Sequence, residues 1–129
     1  MKNEFIPYEE ALALKKLGFN EPVYTIYTKS DKELFEICKL RRKQLTFEKV
    51  IENEYVIPAP LYQQAFRWFR EKGYHCGIIP RYDEFHYFIK DFVNDKEYDD
   101  IYNITSYEEA ELACLKKLIE IVNQNKEDE

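Results

Sequence analysis

The chain has 129 residues, 45% of them hydrophobic and 16% aromatic, and carries a net charge of −6. That length suits one domain, the apolar content excludes a disordered chain, and the negative balance repels nucleic-acid phosphates and anionic membranes at long range. No run of about 18 apolar residues exists to cross a bilayer. The opening MKNEFIPYEE has no apolar leader core, so a cytoplasmic protein is expected.

The first predicted element is a helix over 7–17. Pro7 suits a first turn, where a missing N–H costs nothing, and Gly18 suits the left-handed position after the last turn. Residues 23–28 (VYTIYT) are β-branched and aromatic and follow Pro22, which predicts a strand. Residues 30–54 fit two patterns. Ser30 and Glu33 are spaced as a capping box ahead of Leu34, Ile37 and Cys38 on one helical face. The same residues fit a hairpin with a strand over 33–39, which the need of strand 23–28 for a hydrogen-bonded neighbour favours.

Pro58-Ala59-Pro60 sets an extended backbone and starts a helix over 60–72, stopped by Gly73. Its Leu61, Tyr62, Ala65, Phe66, Trp68 and Phe69 fall within one arc, which calls for a large apolar partner such as a sheet. Residues 74–79 and 84–90 read as two strands. In the second, Phe85, Tyr87 and Ile89 share one side and His86, Phe88 and Lys90 the other. Residues 94–100 read as an acidic loop and 101–104 as a short third strand. The last helix, 107–122, opens with Ser106 and Glu109 as a capping box and carries Leu112, Leu115, Leu118, Ile119 and Val122 as its apolar stripe. The polar residues 123–129 read as a disordered tail. The expectation is therefore one α+β domain over 1–129. It has a small antiparallel sheet against three helices and a helix-strand-strand-strand-helix C-terminal half. Three helices open alike, with Tyr8-Glu9-Glu10-Ala11, Tyr62-Gln63-Gln64-Ala65 and Tyr107-Glu108-Glu109-Ala110; a diverged duplication and convergent helix-start chemistry both account for this.

Candidate chemistry is sparse. Cys38, Cys76 and Cys114 form no CxxC pair and read as small buried hydrophobes. His75, Cys76 and His86 do not line up as metal ligands, since adjacent strand residues point to opposite faces. A Cys76 nucleophile with His86 as its base lacks an orienting acid and oxyanion donors. Asp95, Glu97, Asp99 and Asp100 are acidic like a calcium loop but lack its glycine and terminal glutamate. No P-loop, dinucleotide fingerprint or nucleophile-elbow motif occurs. Neither a catalytic site, a metal nor a cofactor is expected. Two basic features are the binding candidates. One is the run KLRRK, with Lys39, Arg41, Arg42 and Lys43; the other is Arg67 and Arg70 beside Gln63 on the aromatic helix. Arginine's planar donors suit phosphates and acidic protein surfaces.

The element order from Pro60 onward resembles the topology of the double-stranded-RNA-binding domain. That family grips phosphates with lysines at the start of its last helix, where this chain has Glu108, Glu109 and Glu111. The resemblance therefore implies the fold without the RNA. The segments APLYQQAFRWFREK at 59–72 and YEEAELACLKKLIEI at 107–121, and more loosely ALALKKLGF at 11–19, resemble a family of small proteins of tailed bacteriophages and prophages of gut bacteria. No catalytic residues are established for that family. The resemblance implies a non-enzymatic accessory protein in the bacterial cytoplasm that binds a host protein, such as a defence component. A pocket of aromatics and arginines that sequesters a nucleotide is the alternative. Nucleic acid ranks third, disfavoured by charge, and the aromatic content also suits a homodimer interface.

Overall fold

Proline and glycine bracket the first helix as predicted. Helix α1 spans Tyr8–Leu17 behind Pro7, and Gly18 adopts φ 103°. The Gly18 N–H donates to Lys15 O and the Phe19 N–H to Leu14 O, the paired bonds that close a helix through a left-handed residue. The computed structural model describes residues 4–29, 32, 34–36, 55–99 and 104–127. Its chain divides into two compact units, Met1–Leu61 and Tyr62–Glu129. Among the described residues there are three helices and two three-stranded antiparallel sheets, an α+β fold with two sheets where the sequence predicts one.

In the first unit, β1 (Thr25–Thr28) lies between β2 (Leu34–Glu36) and β3 (Val56–Ala59). Ile26 faces Phe35 on one side and Pro58 on the other. The β1–β2 pairing is the hairpin of the two readings of 30–54; the rest of that stretch lies outside the described residues. Residues 58–60, expected only as an extended lead-in, include the last half of β3. Pro58 fits because β3 is an edge strand, where a missing N–H breaks no ladder. The core here is Ile6, Leu14, Phe19, Ile26 and Ile57.

In the second unit, α2 (Tyr62–Glu71) precedes β4 (Tyr74–Arg81), β5 (Glu84–Asp91) and β6 (Lys96–Asp99), which form a sheet in that order, and α3 (Tyr107–Glu127) follows. This is the predicted helix-strand-strand-strand-helix order. The third strand lies at 96–99, inside the expected acidic loop and ahead of 101–104. Asp91 is the cause: its buried carboxylate accepts the N–H groups of Val93 and Asn94 at 2.9 and 3.0 Å and tightens the turn into β6. Charged residues along 96–99 suit an edge strand. Of 101–104, only Ile104 is described, as an isolated bridge to Phe85.

The capping box holds at one end of its exchange: the Glu109 N–H donates to Ser106 Oγ at 3.1 Å, while the Glu109 carboxylate meets Thr105 Oγ1 instead of the Ser106 amide. Helix α3 runs through 123–127, which corrects the expectation of a disordered tail from residue 123. Its polar last turns are anchored where Asn125 Nδ2 donates to the Tyr74 hydroxyl at 2.7 Å. Both α2 and α3 pack on this sheet, and Phe69, Ile89, Leu115, Leu118 and Ile121 fill the space between.

Candidate functional site

The site is built by the register of β4 against β5. With Tyr82 and Asp83 as the only residues between Arg81 and Glu84, His75 pairs with Lys90 and Gly77 with Phe88. These four share the face turned away from Ile89 and the buried core. Gly77 lets the Phe88 ring lie across the strand: a Cβ at position 77 would stand only 2.6 Å from Phe88 Cε1. His75 meets Phe92 edge-on at 5.0 Å between ring centroids.

Helix α2 supplies the second wall. Phe66 and Arg70 are four residues apart and so project from one side of it. Together with His75, Cys76, Phe88, Lys90 and Phe92 they enclose a cavity of about 320 Å³. Two cationic side chains and three phenylalanine rings thus surround one space within the second unit. A neighbouring hollow of about 300 Å³, lined by Ile79, Ile89, Glu97 and Asp99, shares Phe88 and Lys90 with it. Carboxylates therefore lie on the far side of Lys90 and cations on the near side.

Cys76 is half-buried at the cavity wall, and Cys114, on α3, is fully buried. A hydrogen bond from Cys114, helped by the charge of Arg70, holds the Cys76 thiol below its ordinary value against the opposing effect of burial. The same hydrogen bond and its own burial push Cys114 far up.

Of the binding residues expected from sequence, Arg70 lines the cavity. Gln63 and Arg67 are exposed on α2 and do not line it. Lys39, Arg41, Arg42 and Lys43 lie outside the described residues. Sequence reasoning missed Phe66, His75, Phe88, Lys90 and Phe92 as a group. Two signals for it existed: Phe88 and Lys90 alternate onto one face, and Gly77 is the one glycine not needed as a helix stop. The Cys76–His86 pairing is not assembled. His86 stands opposite Ile79, with its Nε2 3.4 Å from Glu84 Oε2. Among the described residues no group of three His, Cys, Asp or Glu side chains is placed to hold a metal ion, and no helix is long and apolar enough to cross a membrane. No family model, no curated protein and no solved structure matches the chain.

Proposed function

We propose that this chain is a non-enzymatic binding protein whose second unit takes a small anionic ligand with an aromatic ring, of the nucleotide class. One observation carries the reading: Arg70 and Lys90 share a cavity with the Phe66, Phe88 and Phe92 rings. A nucleotide offers phosphates for charge-assisted bonds and a base for stacking, which is the chemistry that wall presents. The volume falls at the small end of ligand clefts, roughly 300–1,000 Å³, and suits a mononucleotide better than a polymer. The net charge of −6 also disfavours long polyanions.

A thermal-shift panel of linear and cyclic nucleotides tests this. A ligand at about 100 times its Kd stabilises the fold by ~2.7 kcal/mol, or about 10 °C for a chain of this size. Arg70→Ala should weaken such binding by about 10- to 100-fold through a lost charge-assisted bond, with stability almost unchanged because Arg70 is exposed. Gly77→Ala should displace the Phe88 ring and weaken binding without unfolding the sheet. A flat response across the panel would sink the proposal.

A second reading, that the partner is a bacterial host protein, is favoured by the large apolar side chains left open beside the cavity. Phe92 is 62% and Val93 59% exposed, and phenylalanine is among the residues enriched at protein interfaces. Native mass spectrometry of the chain recovered from a bacterial lysate separates the two. A bound mass of a few hundred daltons supports the first, and a partner at fixed stoichiometry that is lost with Phe92→Ser supports the second.

A further inference from the structure

Strand β5 pairs with a neighbour on each side, and the two registers set out the open face of the second sheet in rows. Lys90 stands between His75 on β4 and Glu97 on β6, and Phe88 stands between Gly77 and Asp99. Residues paired across strands share a face, with Cβ atoms about 4.5–5.5 Å apart. Asp99 is therefore the neighbour of the Phe88 ring, and Glu97 the neighbour of Lys90. With no side chain at Gly77, that ring lies across β4 and stays half-buried. The hollow lined by the two carboxylates shares Phe88 and Lys90 with the cavity that holds Arg70. Strands β4 and β6 are two strand spacings apart, roughly 9–10 Å. One molecule of nucleotide length can span from the cationic wall, over the ring, to the acidic wall.

Building on the nucleotide reading above, we propose that the ligand is a guanine nucleotide, whose phosphate meets Arg70 and Lys90, whose base lies on Phe88 and whose Watson–Crick edge donates to Asp99. Stacking on a phenylalanine serves every base, so Phe88 supplies affinity without choice. The choice comes from the acidic wall, because an ionised carboxylate only accepts hydrogen bonds. Guanine carries two adjacent donors on that edge, N1–H and the 2-amino group, which match the two carboxylate oxygens. Hypoxanthine keeps N1–H and lacks the amino group. Adenine sets its one amino group beside the bare N1 lone pair, which a carboxylate repels. Cytosine has the same arrangement of donor beside lone pair, and uracil holds its N3–H between two carbonyls. The affinity order that follows is guanine, then hypoxanthine, then adenine.

Calorimetric titration of the full chain with GMP, IMP and AMP, repeated on Asp99→Asn, tests this. GMP should bind about 10- to 100-fold more tightly than AMP, the discrimination a good bidentate pair provides, with IMP between them. Asp99→Asn should bring GMP down to the level of AMP and leave AMP nearly unchanged. Asp99 is exposed on an edge strand, so the substitution spares the core, and the retained AMP affinity reports an intact fold. Equal affinity for the three nucleotides, or a preference for AMP, would overturn guanine recognition and leave the broader nucleotide reading standing. A full GMP preference kept in Asp99→Asn would also overturn it. No binding of any of the three would remove the nucleotide reading, and the guanine assignment with it.

Discussion

The two sheets use the same pleat differently. In the first unit Thr25, Ile26 and Tyr27 follow one another along β1 and all are buried, so both faces of that strand are committed to packing. Its polar atoms are committed too. Tyr27 donates its hydroxyl to Ile6 O at 2.7 Å and Thr25 donates to Ala59 O at 3.1 Å. In the second unit only Tyr74 of β4 and Ile89 and Asp91 of β5 are buried, and the residues between them keep part of their surface. A strand buried at successive positions serves stability alone. A strand buried at alternate positions holds the fold with one face and leaves the other for a ligand, and the cavity around Phe88 lies on that free face.

If this division holds, the largest effect comes from the packed side of the second sheet. Leu118 is fully buried there, and Leu118→Ala should cost about 2–5 kcal/mol in urea denaturation. Phe88→Ala removes a larger side chain from the open side, yet should cost only about 1 kcal/mol because its ring is half-buried. Equal losses for the two would erase the distinction between the faces. Tyr27→Phe probes the first unit without changing its volume. It removes the donor to Ile6 O and should cost about 1–2 kcal/mol, since a buried carbonyl is left short of a partner. Burial, with the charge of Glu10 behind it, raises the Tyr27 phenol above its ordinary value, so the hydroxyl remains a donor across the neutral range. No loss on Tyr27→Phe would mean that the bond is not worth more than its solvated alternative.

The helices were legible because their ends are local chemistry: Gly18 stops α1 through a left-handed backbone that a Cβ would strain, and Ser106 caps α3 through its hydroxyl. The strand at 96–99 was read as part of an acidic loop because Lys96 and Glu97 rank low on β-propensity, while strand formation there depends on a buried Asp91 that propensity does not register. The candidate site was half legible for a related reason. Arg70 stands out on a helical wheel, but its grouping with Phe88 and Lys90 exists only once β4 and β5 pair in one register. A turn through Tyr82, at φ 55°, sets that register, and it lacks the Asn-Gly signal that would announce it.

The smallest expected effect concerns charge at the margin of the packed face. Glu111 lies partly buried on α3, and burial, reinforced by the neighbouring charge of Glu108, raises its carboxyl above the ordinary value. A carboxylate whose folded value is raised contributes its full stability only when protonated, below the unfolded value. That contribution is lost as pH rises through the folded value. At neutral pH the ionised Glu111 therefore opposes folding, and Glu111→Gln should stabilise the chain by roughly 0.2–0.5 kcal/mol after solvent screening. The gain should shrink as pH falls and vanish below about pH 4, where the wild-type side chain is also neutral. Paired thermal melts at pH 7 and pH 4 make the comparison. A gain that persists unchanged at pH 4 would assign the effect to packing or helix propensity, and it would move Glu111 from the edge of the packed face into the solvated one.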